Sequence, residues 1–287
     1  MIKLAVIGDP IAHSLSPQVH SAALDAIGIP YTYEKVQVKK GELSSFLDYA
    51  REQGIDGFNL TMPHKVDILP YLSFIDKEAE RYGAVNTVAV RGEKLYGYNT
   101  DADGYMLSLH MQGWRPEDKN VVILGAGGVV RTLARKMAYE GAKKVTLLNR
   151  TVEKAREICQ EIAMQENTEC QYDVLTPETL RQYMGDCDLL MNGTPLGMEG
   201  IAQDFPDFSF LDEMKTSAMV SDLIYRPAKT NLLQRAEKSG LCIQNGLGML
   251  ICQGLLADQI YTGMSFDMQK VFTIVEEKLC LSGENVR

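Results

Sequence analysis

No stretch of this chain approaches the roughly 20 consecutive apolar residues that a bilayer-spanning helix needs, so the sequence offers no transmembrane segment. The run Met1-Ile2-Lys3-Leu4-Ala5-Val6-Ile7-Gly8 is apolar only briefly before Asp9-Pro10, which is too short for a secretory signal. Positive charge is in deficit: 29 Lys and Arg stand against 38 Asp and Glu, a formal net charge of −9. That balance argues against a general nucleic-acid binder, whose affinity comes mainly from cations neutralising phosphates. The six cysteines (Cys159, Cys170, Cys187, Cys242, Cys252, Cys280) contain no C-x-x-C pair and lie scattered. Neither a zinc site nor a disulfide framework is expected, and the reading is a cytoplasmic protein with reduced thiols. The histidines His13, His20, His64 and His110 lack carboxylate or cysteine companions at ligand spacing, so no metal is expected; His13 reads as a structural hydrogen bonder in its loop. Internal repeats and low-complexity segments are also missing.

What is present is a globular composition, 45% apolar and 23% charged, over 287 residues. At about 150 residues per domain this is enough for two domains with real cores. The first third alternates strand and helix patterns. Lys3–Gly8 reads as a buried strand, and Ser16-Pro17 opens a helix with Ser16 as N-cap and Pro17 in the first turn. Ala84–Val90 and Lys94–Tyr98 flank Arg91-Gly92-Glu93, a hairpin signal. The stretch Gln112–Asp118 marks the best domain boundary. Beyond it comes a βαβ series: strand Asn120–Leu124, helix Val129–Tyr139, strand Lys144–Leu148 and helix Val152–Gln165. Further strands are expected at Cys187–Met191, Ala218–Ile224 and Leu241–Gln244. Such alternation predicts an α/β chain with mostly parallel sheet covered on both faces. Two helices, Gly248–Tyr261 and Asp267–Leu281, follow without completing another βαβ unit.

The segment Val121–Val130 reads as strand, glycine turn and helix start. A pyrophosphate must approach backbone N–H groups at a helix N-terminus, where side chains would block it. Gly125 permits the tight turn, Ala126 follows it, Gly127 and Gly128 clear the approach, and Val129 enters the helix. Val130 stands where the dinucleotide fingerprint carries Gly or Ala, so helix and strand are expected to pack less closely. After the second strand the chain offers Asn149, Arg150, Thr151 and Lys154, with no carboxylate for a ribose 2′-hydroxyl. Those cations suit a 2′-phosphate, and charge-assisted hydrogen bonds of roughly 1.5–3 kcal/mol favour NADP over NAD by about ten- to hundredfold.

The first domain carries polar clusters at strand ends, where open α/β sheets place ligands. They are Gly8-Asp9-Pro10-Ile11-Ala12-His13-Ser14-Leu15-Ser16-Pro17, Asn59-Leu60-Thr61-Met62-Pro63-His64-Lys65, Gly83-Ala84-Val85-Asn86-Thr87 and Gly97-Tyr98-Asn99-Thr100-Asp101. With Asn192–Met198, Asp222–Pro227 and Gly248–Gln253, this ordered set resembles the shikimate dehydrogenase family over nearly the whole chain. The resemblance implies NADP-dependent interconversion of 3-dehydroshikimate and shikimate, on the route to chorismate and the aromatic amino acids. It implies a substrate domain of residues 1–110 plus 240–287 and a Rossmann-like doubly wound NADP domain of residues 111–239. The terminal helices would return to the first domain, leaving the active site in the cleft. Lys65 matches the catalytic lysine and Asp101 its partner; Ser14 and Ser16 match the carboxylate-binding pair. Thr61, Asn86, Tyr225 and Gln253 match other substrate contacts, while Leu223 and Gly246 match residues near the nicotinamide.

Hydride transfer to a ketone creates an alkoxide, so a proton must arrive as the hydride does. A lysine beside a carboxylate is favoured in its charged form, which makes Lys65 the acid in the reducing direction and His64 its neighbour. Two rival readings stand beside this one: a quinate/shikimate dehydrogenase of broader specificity using NAD or NADP, and a non-catalytic dinucleotide-binding sensor. Monomer and homodimer are equally compatible with the sequence.

Overall fold

Two six-stranded sheets organise the chain, one in each of two units, in a computed structural model that describes residues 1–281. Among the described residues the first unit comprises 1–107 and 250–281, and the second is Ser108–Met249. Among the described residues no helix is long and apolar enough to cross a membrane.

In the first unit, β1 (Ile2–Gly8) pairs in parallel with β2 (Tyr31–Gln37) and with β3 (Gly57–Leu60). The crossovers are α1 (Ser16–Ala26) and α2 (Leu43–Gln53). After β3 come α3 (His64–Asp67), the short β4 (Phe74–Ile75) and α4 (Lys77–Tyr82). Then β5 (Thr87–Arg91), β6 (Lys94–Tyr98) and α5 (Asp101–Met111) follow. The sheet order is β2-β1-β3-β5-β6-β4, with β5 antiparallel to both β3 and β6. This sheet is therefore mixed, with three of its five pairings parallel and the two that involve β5 antiparallel. The local reason is the two-residue turn at Gly92-Glu93, since strands joined that tightly must run antiparallel. One face is buried by Phe46, Phe58, Ile68, Val85 and Val88. The other is covered by Leu24 of α1 with Ala257 and Tyr261 of the C-terminal region.

The second unit is wholly parallel. β7 (Asn120–Leu124), β8 (Lys144–Asn149) and β9 (Glu169–Val174) run to one side; β10 (Leu189–Asn192), β11 (Met219–Asp222) and β12 (Cys242–Gln244) run to the other. The order β12-β11-β10-β7-β8-β9 reverses between β7 and β10, a doubly wound arrangement whose ligand crevice opens at that switch point. Its helices are α6 (Gly128–Tyr139), α7 (Val152–Gln165), α8 (Pro177–Met184) and α9 (Asn231–Lys238). α10 (Gly246–Thr262) and α11 (Met268–Leu281) are the last of the described helices, and α11 packs along α1.

Several expectations need correction. Leu15, not Ser16, is the N-cap of α1; Ser16 already lies in the helix, and Ser14 Oγ accepts its backbone N–H at 3.2 Å. β9, α8 and α9 lie outside the expected elements, because half-polar strands and eight-residue helices carry weak periodicity. Cys159 and Cys170 are not free thiols but form a disulfide, with Cα atoms 5.3 Å apart. Eleven residues of separation hide the pairing, which exists because β9 folds back beside α7. Nor does Val130 loosen α6. It is 1% exposed, and its Cγ2 stands 2.2 Å from where a Cβ on Gly193 would sit. The bulk has moved: the fingerprint position is large because the facing position is glycine.

Beneath the loop after β11, the carboxylate of Asp222 is wholly buried. It accepts hydrogen bonds from Thr230 Oγ1 at 2.7 Å, Asn192 Nδ2 at 3.1 Å and the Ile224 N–H at 3.1 Å. One side chain thus ties the ends of β10 and β11 to the N-cap of α9. Burial pushes its pKa up from 3.8 to about 6, against the lowering effect of those three donors.

This packing can be tested at two points. Gly193→Ala is expected to cost about 1–3 kcal/mol through overpacking, and adding Val130→Ala should recover at least half of the loss, read from denaturant midpoints. For Asp222 the folded chain holds its proton more tightly than the unfolded one. Its contribution to stability is therefore full below pH 3.8 and is lost as pH rises through about 6. The stability of the native chain minus that of Asp222→Asn should fall by about 3 kcal/mol between pH ~3.5 and ~7.5.

Candidate active site

In the first unit the strand order reverses between β1 and β3, and the loops that leave their carboxyl ends lie side by side. The Thr61 N–H donates to Ile7 O at 3.0 Å and the Asp9 N–H to Met62 O at 3.0 Å. Contact is so close that a Cβ on Gly8 would stand 2.3 Å from Thr61 Cγ2. The first loop presents Ser14 and Ser16, whose hydroxyls are 3.1 Å apart, with Ser14 donating. The second presents Thr61 and leads into α3, which carries Lys65. His64 is buried beneath it, its Nε2 2.6 Å from Val38 O, and so anchors the short helix. His13, by contrast, is exposed and has no hydrogen-bond partner among the described residues, contrary to expectation.

Lys65 Nζ donates to Asp101 Oδ2 at 2.5 Å, an ion pair whose side chains are 26% and 13% exposed. Asp101 opens α5, where the helix dipole favours a carboxylate. Its other oxygen, Oδ1, accepts from Asn86 Nδ2 at 2.9 Å. Asn86 is 2% exposed and is held from both ends: its Oδ1 accepts from the Thr100 N–H at 2.8 Å and from Thr87 Oγ1 at 2.9 Å. Its amide also faces Gln253 Oε1 at 3.5 Å. α10 brings Gln253 there because α5 offers Gly104, where a Cβ would stand 2.6 Å from the Gln253 backbone nitrogen.

Two further residues join this set without having been singled out from the sequence. Asn59 Nδ2 donates to Thr87 Oγ1 at 3.2 Å, and Tyr33 OH donates to Asn59 Oδ1 at 2.8 Å. Burial, reinforced by Tyr261 and Asp258, holds the Tyr33 phenol well above its ordinary range and keeps it a neutral donor. A continuous polar chain therefore runs Tyr33, Asn59, Thr87, Asn86, Asp101, Lys65, and Ser14 and Ser16 form a hydrogen-bonded pair of their own. The signal for Asn59 was its place at the head of Asn59-Leu60-Thr61-Met62-Pro63-His64-Lys65; Tyr33 sits in a strand and carries no motif.

In the second unit the loop after β7 turns at Gly125, whose φ of +104° favours glycine. Gly127 is the N-cap of α6 and Gly128 its first residue; both are exposed, and a Cβ on either would meet nothing within 4 Å. Ala126 is half-buried and Val129 is 39% exposed. The α6 N-terminus is thus an open cradle of backbone N–H groups, the arrangement a dinucleotide pyrophosphate requires. At the end of β8, Asn149 Nδ2 donates to Thr151 O at 2.8 Å and folds the loop. Arg150, Thr151 and Lys154 are exposed, and the two cations have no side-chain partner among the described residues. An acceptor phosphate fits that pair. Leu223 and Gly246 meet backbone to backbone: a Cβ on Gly246 would stand 2.1 Å from Leu223 O. Tyr225 is half-buried, which raises its pKa.

The comparisons with known proteins agree in both halves. Residues 6–88 match the family described as shikimate dehydrogenase substrate binding domain, and residues 109–196 match shikimate / quinate 5-dehydrogenase. A shikimate dehydrogenase (NADP(+)) of Alkaliphilus metalliredigens is 40% identical over 277 residues, 96% of each chain. The solved shikimate 5-dehydrogenase of Thermus thermophilus, in complex with NADP(H) and shikimate, is 33% identical with a TM-score of 0.81, covering 97% of this chain and 100% of that one. The ligand-free 5-ketofructose reductase of Gluconobacter sp. strain CHM43 is 30% identical with a TM-score of 0.84, over 96% and 98%. This chain belongs to the shikimate dehydrogenase family.

Proposed function

We propose that this chain catalyses the NADPH-dependent, reversible reduction of 3-dehydroshikimate to shikimate. The observation that carries the reading is the Lys65–Asp101 pair at 2.5 Å, joined through Asn86 to a polar network that reaches Thr87 and Asn59. NADPH, when bound, supplies a hydride to the carbonyl carbon. Lys65 donates the proton that the developing alkoxide takes up, and in the oxidising direction it accepts that proton back. Asp101 keeps the ammonium in place while its other oxygen is fixed by Asn86. Ser14 and Ser16 bind the substrate carboxylate by donating hydroxyl hydrogens. Thr61, Asn86, Tyr225 and Gln253 bind ring hydroxyls. Gly125–Val129 receive the pyrophosphate, and Asn149, Arg150, Thr151 and Lys154 receive the adenosine 2′-phosphate; Leu223 and Gly246 line the nicotinamide end. The relatives' names and the exposed cationic side chains of Arg150 and Lys154 support NADP as the cofactor.

Oxidation assays with shikimate and with quinate, each with NADP+ and NAD+, test the reading; turnover of shikimate with NADP+ is expected to dominate. Lys65→Ala should lower kcat by about 10²–10⁴ while both Michaelis constants move far less, and near-normal turnover in that variant would refute the proton-transfer role. Arg150→Ala should weaken NADP+ about ten- to hundredfold and leave NAD+ within about twofold, measured by kcat/KM for each.

A further inference from the structure

We infer that Thr87 is a positioning residue for the proposed reduction: its hydroxyl fixes the side-chain amide of Asn86 and, through it, the Asp101 carboxylate that holds Lys65. The inference rests on the proposed function and extends it to a side chain that is 0% exposed. Four hydrogen bonds run in one direction. Tyr33 OH donates to Asn59 Oδ1 at 2.8 Å, and Asn59 Nδ2 donates to Thr87 Oγ1 at 3.2 Å. Thr87 Oγ1 donates to Asn86 Oδ1 at 2.9 Å, and Asn86 Nδ2 donates to Asp101 Oδ1 at 2.9 Å. Every donor points towards the carboxylate, so each bond polarises the next in the same sense.

The direction is imposed by the backbone. The Asn86 carbonyl faces Asn59 Nδ2 at 3.4 Å, so turning that amide over would set two oxygens against each other. The Thr100 N–H donates to Asn86 Oδ1 at 2.8 Å, so turning this second amide over would set two N–H groups against each other. Between two amides fixed in this way, the Thr87 hydroxyl receives a hydrogen from one and gives its own to the other. Thr100 Oγ1 lies further off, 3.4 Å from Thr87 Oγ1 and 3.3 Å from Asn86 Oδ1. The terminal torsion of an asparagine is broad, so a single donor would leave the Asn86 amide free to swing. A second donor, from β5, fixes its plane. The oxygen of Asn86 is thus spent on being held, and its nitrogen serves the reaction. One hydrogen goes to Asp101 Oδ1; the other lies between Thr100 Oγ1 at 3.0 Å and Gln253 Oε1 at 3.5 Å, and is the one a ring hydroxyl can take over. Asp101 Oδ2 then receives Lys65 Nζ at 2.5 Å. Displacing a reacting group by about 1 Å can cost about 10²-fold in rate, so a donor two bonds away from Lys65 bears on turnover.

The test uses purified full-length protein in single turnovers, with enzyme in excess over NADPH and 3-dehydroshikimate saturating, read from the loss of NADPH absorbance. A rate constant measured this way does not depend on the folded fraction while enzyme stays in excess. Reduction by the native chain comes first; its absence would sink the proposed function, and this inference with it. Given reduction, Thr87→Val, which removes the hydroxyl and keeps the bulk, is expected to lower the rate constant about three- to tenfold. Thr87→Ser, which keeps the hydroxyl, should stay within about twofold of the native value. If Thr87 acts through Asn86, adding Thr87→Val to Asn86→Ala should slow that variant by less than about twofold more. Equal rate constants for the native chain and Thr87→Val would overturn the inference and leave the proposed function standing. So would a full additional loss in the double variant, or a Thr87→Ser variant as slow as Thr87→Val. Should Thr87→Val fail to fold, Thr87→Ala, which removes the same hydroxyl with less bulk, takes its place.

Discussion

The carboxylate of Asp101 is shared between a cation and an amide, and the polar architecture of the first unit is arranged around that sharing. One oxygen holds Lys65 and the other holds Asn86. Neither bond survives alone in a useful form. A half-buried ammonium without its partner would be expensive, and a carboxylate with one free oxygen could rotate away. Asn86 prevents this because its own carbonyl is clamped by a backbone N–H and a threonine hydroxyl. The geometry of the pair is thus inherited from β5, from the Asn99-Thr100-Asp101 turn and from α3, none of which is itself reactive.

The second unit solves a different problem. A phosphate cradle needs empty space at the α6 N-terminus and close packing immediately below it. Gly127 and Gly128 supply the space; Val130 and Gly193 supply the packing by an exchange of bulk across the β7–β10 switch point. Asp222 then binds the loops after β10 and β11 to the cap of α9. Rigid scaffolding under open loops is the general pattern of doubly wound sheets, and here it is built from one large, one absent and one charged side chain.

Much of this was legible in the residues because the chemistry is local. The glycine turn after β7, the cations after β8 and the hairpin at Gly92 each depend on a few neighbours in sequence. α7 was legible to the residue, since its apolar spacing is strong and its start follows a strand end. The short α8 and α9 were not, as eight residues give the period barely two turns to declare itself. The Cys159–Cys170 bridge was also hidden, because a strand's return beside its preceding helix leaves no mark in composition.

By itself, the sequence determined the alternation of strands and helices, the identity of the reactive side chains and the family to which the chain belongs. These follow from residue type and short-range order. Only the tertiary structure decided that Tyr33, Asn59, Thr87, Asn86 and Asp101 form one connected polar chain, because their contacts join segments that lie far apart in the sequence. It likewise decided that a valine is harmless where a glycine is customary. Packing is a relation between two positions, and Val130 can be judged only once Gly193 is known to face it.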